Sequence, residues 1–185
     1  MGKFKIKINE MKESPKEYST YDFEGNGTYC ALCAGNISAY PDTSLQDILD
    51  KHGLVNENKS LQEAHVTLVF SPDLIDVAQY EEAISYLEKI SEDGLEVKVE
   101  DIVVFANPNG THLVAQLELH PDLLELNSQF KSFGLSETFP VYKPHMTLFT
   151  TDDVLDTSYF DLAKSELLSI LKSKPINCVR WSISN

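Results

Sequence analysis

His65-Val66-Thr67-Leu68 returns eighty residues later as His145-Met146-Thr147-Leu148. An extended chain alternates its side chains between two faces. Read as strands, both stretches set His and Thr side by side on one face. Val66, Leu68 and Phe70 go to the opposite face, as do Met146 and Leu148, which predicts a buried side. Two such strands at one cleft would supply two imidazoles and two hydroxyls. Imidazole titrates near neutrality, so one ring can carry a proton while the other accepts one. Hydroxyls can hold phosphate oxygens, so the set suits proton transfer at a phosphate.

The surroundings of the two stretches also match. A strand-like apolar run begins at Thr28, followed by a helical stretch over residues 44–52, a polar loop and the first His strand. Another run, His112 to Leu117, is followed by a helix from Pro121, a loop and the second His strand. The chain therefore reads as two diverged copies of strand, helix, loop and His strand. Two lobes related by pseudo-two-fold symmetry would bring the His strands together at the middle.

With 185 residues the chain fits one domain, residues 1–185, in which residues 1–27 form a less regular N-terminal arm. The formal net charge is −14. So acidic a surface repels long polyphosphate chains, which argues against a general RNA or DNA binder. It leaves room for a small nucleotide in a locally neutral or basic cleft. No run is long enough to cross a bilayer, and the N-terminus lacks the pattern of a secretory signal. Cys30, Cys33 and Cys178 fit a reducing cytoplasm, and the Cys30–Cys33 spacing on a strand points the two thiols to opposite faces.

Elsewhere, Phe4, Ile6 and Ile8 alternate as a strand. Tyr80, Ala83, Ile84, Leu87 and Ile90 recur at helical spacing, and Gly94 ends the pattern. Leu95 to Val99 alternates as a strand. Asn107-Pro108-Asn109-Gly110 is a turn between two apolar runs, which predicts a hairpin. Pro121 opens a helix whose face carries Leu123, Leu126, Phe130 and Phe133, and Gly134 stops it. Leu162, Leu167, Leu168 and Leu171 predict a last helix before Pro175, and residues 176–181 a last strand. The class is α+β with mostly antiparallel strands.

The paired motifs, with Tyr142-Lys143-Pro144 leading into the second, resemble the two-histidine phosphoesterase superfamily. The run from Leu117-Glu118-Leu119 to Phe133-Gly134-Leu135 resembles its phage anti-CBASS branch, and the likeness covers about residues 28–150. The resemblance implies a bilobed fold with outer helices around a central cleft. It also implies a phosphodiesterase acting on small cyclic di- or oligonucleotide signals, in a host cytoplasm if phage-encoded. His65, Thr67, His145 and Thr147 carry over one to one as the catalytic set.

From the residues alone, one histidine would take a proton from the attacking hydroxyl and the other give one to the leaving oxygen. The threonines would hold the charged phosphate oxygens. Tyr29, Tyr142 and Trp181 are candidate surfaces for a base, because aromatic rings stack on bases whatever their identity. Phe105 reads as core, and His52, His112 and His120 as surface. Lys143 and Arg180 are the cations nearest these segments. No carboxylate shares the motif face and no His-x-His occurs, so neither a metal nor a cofactor is expected. Phosphate-loop, dinucleotide-binding and Ser/His/Asp signatures are absent. The alternatives are an RNA-end or 2′,5′-oligonucleotide phosphodiesterase and a nucleotide-binding sponge without turnover.

Overall fold

In a computed structural model, the structure describes residues 4–5, 7–10, 22–23, 27–34, 45–55, 64–108, 110–136 and 141–184. The strands are β1 (Phe4–Lys5), β2 (Lys7–Glu10), β3 (Asp22–Phe23), β4 (Thr28–Ala34), β5 (His65–Ser71), β6 (Leu95–Val97), β7 (Val99–Asn107), β8 (Gly110–Leu117), β9 (His145–Thr151) and β10 (Ile176–Ser184). The helices are α1 (Leu45–Lys51), α2 (Val77–Asp93), α3 (Pro121–Ser132) and α4 (Asp161–Leu171), with a 3-10 turn at Thr157–Phe160 before α4. Among the described residues, β1 pairs with β3 alone. The other eight strands form one sheet in the order β2-β10-β4-β5-β9-β8-β7, with β6 beside β10. Every pairing is antiparallel. The α+β class and the elements read from the sequence are observed. One refinement is that Leu95 to Val99 divides between β6 and β7. Ile6, most of the arm and residues 56–63 of the loop before β5 lie outside the described residues.

The two His strands meet at the centre of this sheet, where Val66 pairs with Met146. A single cross-strand row runs Trp181, Leu32, Val66, Met146, Ala115, Ile102. All six side chains are buried. This row is the floor of the core, and the helices cover it: α2 packs on β10, α3 on β5 and α4 on β7. The repeats cross over in doing so. Helix α3, from the second copy, lies under β5 of the first, and α1 of the first touches α4 of the second.

The duplication extends to details. Thr28 pairs with Ser71, and Thr111 with Thr151. Thr28 donates its hydroxyl to the carbonyl of Asp73 at 2.8 Å, and Thr111 donates to that of Asp153 at 2.8 Å. The Asp73 N–H reaches the Ser71 hydroxyl at 3.2 Å, as the Asp153 N–H reaches that of Thr151. Asp76 and Asp156, also eighty positions apart, accept from Gln79 N–H and Ser158 N–H where the next helical segments start. Ahead of each threonine sits a glycine, Gly27 at φ 141° and Gly110 at φ 144°. A Cβ there would lie 2.1 Å from the Ser71 carbonyl oxygen or 2.2 Å from that of Thr151. Only glycine permits this approach.

Both copies also carry a β-bulge. The β4–β5 register jumps between Cys30 and Ala31, and the β8–β9 register between Leu113 and Val114. Each bulge leaves one residue of the His strand, Leu68 or Leu148, without a paired residue and reverses the alternation beyond it. Phe70 consequently faces the same side as Thr67, opposite Tyr29 and 58% exposed. The strict two-residue period had placed it in the core.

Candidate active site

His65 and Thr67 are half-buried on β5, as is His145 on β9, and Thr147 is exposed. Counting outward from the Val66–Met146 pair, antiparallel geometry sets Thr147 across from His65 and His145 across from Thr67. Each imidazole therefore lies beside the threonine of the other copy, and the local two-fold passes between Val66 and Met146. Cross-strand Cβ atoms stand about 5 Å apart, close enough for one phosphate to meet all four side chains.

His145 is oriented by its own approach segment. Its Nδ1 lies 2.8 Å from the Lys143 carbonyl oxygen. A carbonyl only accepts, so Nδ1 carries the hydrogen and Nε2 of the neutral ring is left to take a proton. Ring neighbours flank both imidazoles edge-on. Tyr29 meets His65 at a centroid distance of 5.9 Å and 87°, and Phe105 meets His145 at 5.6 Å and 75°. Tyr29 also touches Phe70 at 6.4 Å.

A cavity of about 310 Å³ lies beside β5 and the segment leading into β9. Thr67, Phe70, Tyr29, Tyr142, Lys143 and His145 line it from the sheet side, and Asn127, Lys131, Leu135 and Ser136 from α3 and the turn after it. The Tyr142 hydroxyl donates to the Thr67 carbonyl oxygen at 3.1 Å. Burial, and then the nearby Cys30 and Cys178 thiols, push its ionisation well above the ordinary tyrosine range, so it stays a neutral donor. Tyr142 thus ties the segment before His145 to the strand of Thr67 while its ring forms wall.

Trp181 does not reach this site. It is 1% exposed, because its register opposite Leu32 turns the indole into the core. The Arg180 side chain lies outside the described residues. Phe105, read as core, is 40% exposed and faces the cleft beside His145. His112, read as surface, is half-buried opposite Phe105, with its Nδ1 2.6 Å from the Thr150 hydroxyl. His120 caps α3, accepting from Asp122 N–H, and His52 lies 3.2 Å from Glu166. Lys131 and Asn127 were not singled out by sequence. Their signal was a polar residue, Asn127, on the helix face that carries Leu123 and Phe130, with Lys131 one turn further on. Among the described residues no group of three His, Cys, Asp or Glu side chains could hold a metal ion, and no helix is long and apolar enough to cross a membrane.

No curated protein matches the chain. A solved structure of Kluyveromyces marxianus Usb1 is 13% identical, covering 86% of this chain and 93% of that one at a TM-score of 0.47. Kluyveromyces marxianus Usb1 with uridine monophosphate is 14% identical, with coverages of 80% and 84% and a TM-score of 0.46. Residues 26–169 match the family described as anti-CBASS protein Acb1, the branch that the motifs resemble, and with most of its length matched the chain belongs to that family.

Proposed function

We propose that this protein is a metal-independent phosphodiesterase that opens small cyclic di- or oligonucleotide signals and so blunts a CBASS defence. The observation that carries the reading is the β5–β9 pair, with two His/Thr couples of opposite direction around one two-fold. His65 and His145 act as acid and base, and Thr67 and Thr147 hold the non-bridging oxygens. Tyr29 and Tyr142 are wall for the substrate. His145, with Nδ1 satisfied by Lys143, is suited to the base role.

The attacking group is the substrate's own ribose 2′-hydroxyl, which reacts as an intramolecular partner. Its oxygen bonds to phosphorus as one imidazole takes its proton. The P–O bond to the neighbouring 5′-oxygen breaks, and that oxygen takes a proton from the other imidazole. The first product is a linear chain ending in a 2′,3′-cyclic phosphate.

The test is a panel of cyclic dinucleotides, cyclic oligonucleotides, 2′,5′-linked oligonucleotides and long single-stranded RNA, read by product mass with and without excess chelator. Linearised cyclic nucleotides at undiminished rate in chelator are expected, with long RNA poor at low salt because each added phosphate meets an acidic surface. Preference for RNA or 2′,5′-linked substrate would move the assignment to RNA-end or oligonucleotide processing. Tight binding without any product would make the protein a sponge. A 2′-deoxy cyclic dinucleotide cleaved as fast as its ribose parent would remove the proposed nucleophile.

A further inference from the structure

The chain carries a net charge of −14, yet the described residues that line the cavity beside Thr67 and His145 include Lys131 and Lys143 and, among those described residues, no Asp or Glu. Its lining includes one imidazole and one hydroxyl of the motif set, those of His145 and Thr67. A group attached to a phosphate at those two side chains therefore enters the cavity next. The volume, about 310 Å³, is at the low end for small-molecule sites, roughly 300–1,000 Å³, and suits one nucleotide unit and not a longer chain.

The inner wall is held in place by contacts that span the sequence. Asn127 is buried, and its side-chain amide donates to the Leu68 carbonyl oxygen at 2.7 Å, which fixes α3 against the bulge of β5. The Ser136 N–H donates to the Asp73 carboxylate at 2.7 Å, which fixes the turn after α3. A wall so anchored does not have to be ordered by the ligand. Lys131 sits in the last turn of α3, where a cation also complements the helix dipole. That placement alone would suit any surface lysine, but it does not account for Lys131 lining the same cavity as His145.

We infer that this cavity takes the nucleotide next to the scissile phosphate and that Lys131 is the specificity residue that reads the second phosphate of the substrate. The inference rests on the phosphodiesterase reading for the first phosphate and adds to it a requirement for two. Charge attraction to an ammonium in a partly desolvated pocket strengthens binding of such a substrate more than it alters the reacting centre. The effect belongs in KM.

The experiment compares wild type, Lys131→Met and Lys131→Arg on a 3′,3′-cyclic dinucleotide and on a linear 3′,5′-dinucleoside monophosphate, which has one phosphate and keeps the attacking 2′-hydroxyl. Calorimetric binding of a 2′-deoxy cyclic dinucleotide, which lacks the attacking hydroxyl, runs alongside. Lys131→Met should raise KM for the dinucleotide about tenfold. Its kcat/KM for the cyclic dinucleotide should fall at least fivefold more than for the dinucleoside monophosphate, and Lys131→Arg should recover most of the loss. Binding of the deoxy analogue should weaken by a similar factor. Equal losses on both substrates, no loss on either, or unchanged binding of the analogue would overturn the inference. So would a wild type that binds no dinucleotide. If wild type binds the analogue, Lys131→Met weakens it and neither protein cleaves anything, the inference stands and the proposed function falls.

Discussion

The half of the sheet around His65 and the half around His145 share a framework and differ in their walls. Glycine, threonine clamp, bulge and aspartate cap recur at matching positions in both. The residue after the clamp does not. In the first half it is Tyr29, which packs edge-on against His65. In the second it is His112, bound to Thr150, and the ring beside His145 is Phe105 from β7. Backbone geometry fixes where the two imidazoles stand, whereas the side chains around them are chosen separately in each half. A two-fold framework with unequal walls suits a reaction whose two proton transfers run in opposite directions.

The largest effects should come from the imidazoles. His65→Ala and His145→Ala are each expected to cut turnover a hundredfold or more, about 2.7 kcal/mol or more in the barrier. The fold should be kept, since neither ring is part of the buried core. Steady-state kinetics on the best substrate of the panel, with melting curves, checks both points. An active double variant would end the assignment. A much larger loss at one histidine would show that the halves are chemically unequal as well as differently walled.

The framework itself can be broken symmetrically. Gly27→Ala and Gly110→Ala each force a Cβ onto a carbonyl oxygen, in a backbone region that L-residues rarely adopt. Each should cost roughly 3 kcal/mol, measured by denaturant unfolding. Similar losses are expected. A mild effect at one site and a severe one at the other would mean that the two turns are alike in geometry but not in the load they bear.

The two-residue period made both His strands legible, and with them the four motif side chains. Pro121, Gly134 and the Asn107–Gly110 turn were equally clear, because each is a local backbone requirement. What the chain alone did not reveal depends on distant partners. Trp181 is core because β10 happens to pair with β4 in one register. Phe70 changes face because of a bulge that no local residue announces. Lys131 lines the cavity only because α3 docks under β5. One repeated signal was readable and passed over: Ser71-x-Asp73-x-x-Asp76 against Thr151-x-Asp153-x-x-Asp156.

A smaller effect is expected from the link between the halves at Tyr142. Tyr142→Phe keeps the ring and removes one hydrogen bond to the Thr67 carbonyl oxygen. About 1 kcal/mol of stability should be lost, together with several-fold in kcat, because Thr67 and the approach to His145 are no longer held in common. Calorimetry and kinetics on one preparation test this. A loss of stability with kcat intact would show that the bond serves the fold and not the site.

The smallest expected effect separates a bond between the halves from a local one. Asp73 on the β5 turn accepts from the Ser136 N–H, 63 positions away, while Asp156 accepts from Ser158, two positions away. Bonds from Ser136 in the first case, and from Ser158 in the second, hold these carboxyls below the ordinary range. A carboxyl depressed in the folded state stabilises it at any pH above the unfolded value. That contribution is lost as pH falls through the folded value. Both aspartates should therefore stabilise the protein fully near neutrality and cease to do so only below about pH 4. Asp73→Ala and Asp156→Ala should each melt slightly lower than wild type at pH 7, and the gap should close as the pH falls through the depressed folded values. The two variants should differ in cooperativity. Losing Asp156 frays the start of the segment leading into α4, whereas losing Asp73 loosens α3 from β5. Hydrogen exchange should rise at the start of that segment in the first variant and along α3 and its following turn in the second. A gap that stays constant with pH would mean that the carboxyl groups act by packing and not by charge. Identical exchange patterns would mean that the longer bond does no more to join the halves than the shorter one.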